Sequence, residues 1–486
     1  MSVAWRAALH VGLALTLLAL APACGSRKGA RYRNTDAPAD AWHYRVSIDA
    51  ALTRVDAEVC FEGTVPGELR AGKDEAASRL LYARWQRPGA VRRLPVREGR
   101  IQLDSSARDG CVAYGVSLAE NASFEAAVRR VGRDLLASPN VWLWRPERRA
   151  PDVRATLDLS LPPNVRALLP WPRVGSHYAL DAQAFRFDSY AAFGRFTPFE
   201  STAHGVAIEA AILDGQLSVD RAAVQRWLRA SVHLAALSDG RFPRERLSAL
   251  IVPSSAQPDP VAFGTIARGG AASVLLLVSA NASEPALLAD WVLPHELSHL
   301  LLPFVDRENA WLSEGFATYY QEVLRARAGT CTELAALQQM ATSFRDAAQD
   351  EATASLMDES ARMQRTHNYR RVYWGGAAYW LKVDVELRRA SQGHVTVDSV
   401  LSQLRRDELR PQVWTGRALI ERLDALAQLP VFSQALAAAA ALPFPPFEPT
   451  LAELGVRGEG ASLRLDDAAP LAELRHQLFL VRTEAR

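Results

Sequence analysis

Lysine is almost absent from this chain: Lys28, Lys73 and Lys382 are the only three among 56 basic residues, and the rest are arginine. Against 54 acidic residues the formal charge is +2. No local cluster of arginines resembles a phosphate-binding surface, so the basic footprint of a nucleic-acid binder is missing. Cysteine is scarce, with four residues and no pair at zinc-ribbon spacing, which excludes a cysteine-built zinc module. Beyond the first 24 residues no run approaches the ~18 uncharged apolar residues of a membrane-crossing helix. Internal repeats and long low-complexity tracts are lacking too. What remains is 49% hydrophobic and 23% charged, the balance of an ordinary globular protein, and 486 residues suffice for two or three domains.

Residues 1–24 read as an address. Arg6 precedes an apolar run from Ala7 to Leu20, followed by Ala21-Pro22-Ala23-Cys24. Such a run with a small-residue exit is a secretory signal. Cleavage before Cys24 by ordinary signal peptidase would give soluble export, periplasmic or secreted. A small residue directly before Cys24 also resembles a bacterial lipobox, with lipid on Cys24 and residues 25–41 as a tether. The envelope-anchored lipoprotein is the preferred reading, and it makes the lipid the chain's one contact with a membrane. In an exporting compartment disulfides persist, and Cys60 and Cys111 lie in strand-like runs of one region, where a bridge would form; three buried thiols are the alternative.

Two regimes follow. Over 42–185 short alternating runs such as Tyr44-x-Val46-x-Ile48 and Val55 to Phe61 are punctuated by Gly, Pro, Asn and Asp, which predicts a β-sandwich-like domain. One helical insertion is expected at Glu120 to Leu136. Over 186–442 the period becomes helical, with a helix over Val219 to Leu237 and strands at Leu247 to Val252 and Ala272 to Val278. Long helices are expected at Glu284 to Leu302, Asn309 to Ala328, Cys331 to Asp350 and Tyr373 to Ala390. Residues 443–486 form a short coda after a proline-rich break.

The informative string is Pro294-His295-Glu296-Leu297-Ser298-His299. Four-residue spacing projects both imidazoles from one helical face, where they can share a metal, and Glu296 beside them can take a proton from water. At this histidine frequency roughly 0.01 such strings arise by accident in a chain of this length. A catalytic zinc needs a third protein ligand. The metzincin extension would require Gly and His where Leu302 and Val305 stand. Trp311-Leu312-Ser313-Glu314-Gly315-Phe316-Ala317 supplies a glutamate instead, near the start of the next helix, so His295, His299 and Glu314 are the expected ligands of one Zn2+ per chain.

These residues resemble the gluzincin metallopeptidases, whose closest types are the aminopeptidase-N family and the bacterial PDZ-containing glycyl-aminopeptidase-like family. Tyr373-Trp374-Gly375-Gly376 and Asp384-x-Glu386-Leu387-Arg388 are similar to further elements of those families. The resemblance implies a thermolysin-like, mostly helical α+β catalytic domain and peptide-bond hydrolysis with Glu296 as base. It also implies that Tyr373, with Tyr369 as competitor, hydrogen-bonds the oxyanion. Thr318 is a weaker candidate for supporting the ligands. The aminopeptidases carry an edge strand upstream of the zinc helix whose Glu holds the substrate's free amino group. Here that stretch reads Phe263-Gly264-Thr265-Ile266-Ala267-Arg268-Gly269-Gly270, with no acidic side chain. Gly264, Arg268, Gly269 and Gly270 are the expected substrate-binding positions, and Arg268 would repel an ammonium. Peptides or proteins are the expected substrates, with standard aminopeptidase action disfavoured. The competing expectation, a retired gluzincin fold serving as a binding module, sits poorly with five intact site residues.

Overall fold

The computed structural model describes residues 40–87, 90–107, 109–119, 127–146, 153–350, 354–407, 412–440 and 442–481. They form two compact units, 40–196 with 268–270, and 197–267 with 271–481.

The N-terminal unit is built on an eight-stranded sheet, with a four-stranded and a three-stranded sheet beside it. Ala41–Ile48 runs antiparallel to Arg54–Glu62 and parallel to Arg154–Ser160. Alternation decides which face is dry: Trp42, Tyr44, Val46 and Ile48 are buried, as are Val55, Ala57, Val59 and Phe61. The same core takes in Leu69, Leu135 and Phe193 from the smaller sheets, around Trp142, Trp144 and Trp171. Cys60 and Cys111 are cross-strand partners joined by a disulfide.

The helix expected at Glu120 to Leu136 is not what the described part of that segment forms. Val128–Val131 and Asp134–Ala137 pair as a hairpin. Gly132, at φ 56°, takes the left-handed turn conformation between them. Four buried apolar side chains, Val128, Val131, Leu135 and Ala137, favour this pairing over a helical stripe.

The C-terminal unit opens with a five-stranded sheet. Val206–Ile212, Arg246–Ser254 and Ala272–Ser279 are parallel and read as continuous apolar runs, as strands covered on both faces do. Phe199–Ala203 and Val261–Ala267 stand antiparallel at the two edges. Helix α1, Arg221–Ala236, starts where the Asp220 side chain accepts from the Ala223 N–H at 2.8 Å. Its Val224, Trp227, Leu228 and Val232 share a core with Leu293 and Leu297. Those two residues belong to α2, Val292–Ser298, and the later helices α3, Ala310–Arg327, and α4, Tyr369–Ala390, pack on one another.

The single helix expected over Glu284 to Leu302 is divided. Glu284–Leu288 ends first, α2 follows, and a 3-10 turn runs from His299 to Leu301. Two residues explain the break. Asp290 accepts from the N–H groups of Val292 and Leu293 at 3.1 and 2.9 Å, opening a new helix. Pro294 has no N–H to continue a ladder from upstream, but is tolerated in a first turn. Residues 443–481 pack within the C-terminal unit, where fully buried Arg475 meets Glu333 at 2.6 Å.

Candidate metal centre

Helix α2 carries His295, the 3-10 turn that continues it carries His299 on the same face, and α3 brings Glu314 to them. The Glu314 Oε2 lies 3.3 Å from His295 Nε2 and 3.4 Å from His299 Nε2, and the three ligand atoms fall within 4.8 Å of one another. His295 Nδ1 is 2.9 Å from Gln321 Oε1, so that nitrogen carries the proton and Nε2 presents a lone pair. At 3.3 Å the Nε2 and the carboxylate attract one another through a proton on the imidazole or a metal cation between them. Two imidazoles and one carboxylate, partly buried, are the donor set of catalytic zinc, so these residues fit that metal.

Burial disfavours charge on the Glu314 carboxyl, but His299 and His295 outweigh it and hold it far below the usual carboxylate range. Glu296 is only 9% exposed, and burial lifts its carboxyl above the ordinary value despite the opposing pull of His295 and His299. The Ile266 N–H of the edge strand Val261–Ala267 donates to it. Gly264 on that strand makes the close approach feasible: a Cβ there would meet Glu296 Cγ at 2.9 Å and Val292 Cγ1 at 2.7 Å. The strand therefore lies directly against Glu296.

Tyr373 joins from α4. Its ring lies parallel to that of His295, 7° between planes and 6.0 Å between centroids, and its hydroxyl hydrogen-bonds Glu314. The helix begins at Tyr369, one turn earlier than expected, so Tyr373 sits inside it. Tyr369, the competitor, directs its hydroxyl to Gln364 at 3.3 Å. What brings α4 to the site is a glycine crossing. A Cβ on Gly315 would lie 2.3 Å from Gly376 Cα, and one on Gly376 would lie 2.0 Å from the Trp311 carbonyl oxygen. Glu314 and Tyr373 flank this point of backbone contact.

The remaining expected positions have other surroundings. Gly269 has no room for a Cβ because the Phe187 and Asp188 carbonyl oxygens lie at 2.5 and 2.6 Å, and Gly270 packs on Trp171. Both belong with Arg268 to the N-terminal unit, where the Trp171 indole donates to the Gly269 carbonyl at 3.0 Å. Gly264 is the one of the four placed against Glu296. Thr318 Oγ1 is buried without a hydrogen-bond partner among the described residues, so it does not hold a ligand. Cys24 lies outside the described residues. The Asp384…Arg388 element is scaffold: the Arg388 Nε meets Asp384 Oδ1 at 2.9 Å, both fully buried, and the Tyr319 hydroxyl donates to Asp384 at 3.0 Å.

Gln321 and Glu322 went unnoticed in the sequence. Gln321 stands seven residues after Glu314, two turns along the same face, and that spacing was the available signal.

Residues 304–379 match the family model described as M61 glycyl aminopeptidase, a span that holds Glu314 and Tyr373 and stops short of the histidines. No curated protein matches the chain. Among solved structures, an aminopeptidase N family protein from Idiomarina loihiensis is similar at TM-score 0.60 and 16% identity, over 90% of this chain and 78% of that one. An M1 zinc metallopeptidase from Deinococcus radiodurans, bound to a Tyr-Ser-Ala substrate, is similar at TM-score 0.54 and 13% identity, over 84% and 94%. Legionella pneumophila aminopeptidase A, in complex with aspartic acid, matches at 0.52 and 13%, over 83% and 50%. These identities speak for a shared fold. The family model's match over the Glu314 and Tyr373 helices agrees with the resemblance seen in the motifs, that to a gluzincin-like zinc metallopeptidase.

Proposed function

We propose that the centre of this peptidase is His295, His299 and Glu314 as ligands, Glu296 as base and Tyr373 as oxyanion donor. The observation that carries the reading is the convergence of all five on one partly buried spot from three helical segments. Zinc held there would supply Lewis acidity, polarising a carbonyl and easing deprotonation of water. Glu296 accepts the proton from water and returns it to the leaving amine. Tyr373 hydrogen-bonds the oxygen that gains negative charge. The edge strand beside Glu296 offers backbone pairing to an extended peptide. It carries no acidic residue to receive an α-ammonium, so the enzyme acts as an endopeptidase or as an exopeptidase that reads something other than a free amine.

Glu296→Gln tests the assignment: turnover should disappear while about one zinc per chain is retained, because Glu296 is a base and not a ligand. Loss of the metal in that variant, measured by elemental analysis, would show that the roles are misassigned.

The proposal includes export and a lipid anchor on Cys24, supported by the Ala21-Pro22-Ala23-Cys24 sequence after an apolar run. Fractionation of host cells should place the protein with membranes and Cys24→Ala should release it. An unchanged distribution in the variant favours soluble export.

A further inference from the structure

The zinc centre proposed above needs His295 to present a bare Nε2, and this depends on which way one amide points. Gln321 could turn either its oxygen or its NH2 group toward His295, at almost identical shape. With the oxygen forward, the imidazole carries its proton on Nδ1 and offers Nε2 toward Glu314. With the NH2 forward, Nδ1 must accept, the proton moves to Nε2, and the ligand face is blocked. Nothing in the glutamine itself selects between the two.

Glu322 does select. It is 2% exposed, and its Oε1 accepts from Gln321 Nε2 at 3.0 Å. Burial lifts its carboxyl above the ordinary value, and Arg325 opposes that by binding the carboxylate: Nη1 lies 3.4 Å from Oε1 and 3.1 Å from Oε2. The same guanidinium donates through Nη2 to the Ala289 carbonyl at 3.2 Å, just upstream of α2. A carboxylate has no proton to give, so the nitrogen of the amide must face Glu322 and its oxygen must face His295. A flipped amide would set two acceptors against each other in a dry site, a costly arrangement. We propose that Glu322, clamped by Arg325, is a positioning residue that fixes the Gln321 amide and thereby the metal-ligating tautomer of His295. This rests on reading His295, His299 and Glu314 as the zinc centre.

Zinc dissociation constants, measured by competition with a chromogenic chelator, decide the matter. The proteins compared are wild type, Glu322→Gln, Gln321→Leu and the exchanged pair Gln321→Glu with Glu322→Gln, each with its metal-free melting temperature. In Glu322→Gln the neighbouring group can accept or donate, the amide is free to turn, and zinc binding should weaken about tenfold or more, as it does when the partner of a ligating histidine is lost. Gln321→Leu should weaken it at least as much. In the exchanged pair residue 321 has only acceptor oxygens, needs no orienting neighbour, and should restore affinity at unchanged net charge. Wild-type affinity in Glu322→Gln overturns the proposal. So does an exchanged pair that melts like wild type without metal yet recovers no affinity. A wild-type protein that takes up no zinc at all overturns the zinc centre itself, a result distinct from either of these.

Discussion

Adding one methyl group at Gly376 should damage this enzyme out of proportion to its size. A Cβ there would stand 2.0 Å from the Trp311 carbonyl oxygen, where ordinary contact begins near 3.4 Å. Backbone cannot rotate away, so α3 and α4 must separate by roughly the difference, about 1.4 Å. Overpacking of this kind costs about 1–3 kcal/mol of stability. The larger effect should fall on turnover, because Glu314 is carried by one of these helices and Tyr373 by the other. A misplacement near 1 Å can cost about a hundredfold in rate. Gly375→Ala is the control. Its Cβ would meet the Leu356 Cδ1 at 2.9 Å, the far end of a flexible side chain, and alanine suits a helix interior better than glycine. Measured by kcat/KM on a peptide substrate and by melting temperature, Gly376→Ala should lose about two decades of activity and Gly375→Ala very little. Equal activity in the two variants would refute the claim that the crossing sets the site.

Two further expectations concern specificity and scaffold. Amino-terminally acetylated peptides should be cleaved at least as well as their free counterparts, since Val261–Ala267 carries no carboxylate for an ammonium. A tenfold or greater preference for the free amine in kcat/KM, about 1.4 kcal/mol, would mean that an acidic group elsewhere supplies the anchor. Arg388→Ala should destabilise the protein by about 3–5 kcal/mol, because it strands the fully buried Asp384 carboxylate. Arg388→Met with Asp384→Leu should recover much of that loss in urea unfolding; if the double variant is as weak as the single one, the buried charge is not the cause.

The proposed metal ligands could be read from the sequence because their chemistry is local. His295, Glu296 and His299 fall within five consecutive positions, where helical periodicity joins them, and Glu314 follows on the next helix, which packs against theirs. The break before α2 was harder to see. Asp290 looks like an ordinary polar residue within an apolar helical pattern until its carboxylate is found capping Val292 and Leu293. The hairpin at Val128 to Ala137 was missed because five apolar residues in ten fit a helical stripe as well as two short strands, and only the sheet beyond them decides. Gln321 and Glu322 escaped notice for another reason: an amide and a carboxylate on a helix read as solvent-facing, and their burial against His295 is a property of the packed helices. The roles of Gly315 and Gly376 depend likewise on a contact between segments some sixty positions apart in the sequence.

That separation along the chain has a consequence for how the site is assembled and how it could decay. The three proposed metal ligands lie within His295 to Glu314, on helical segments joined by one short connection, whereas Tyr373 arrives with a helix much later in the sequence. Close-range elements come together early in folding, and distant ones must wait for the chain between them. Metal capture and catalytic competence are thus separable inheritances: damage confined to α4 would leave a protein that still holds its ion yet no longer turns over, a sensor or sink in place of a hydrolase. Damage around α2 and α3 would remove both at once.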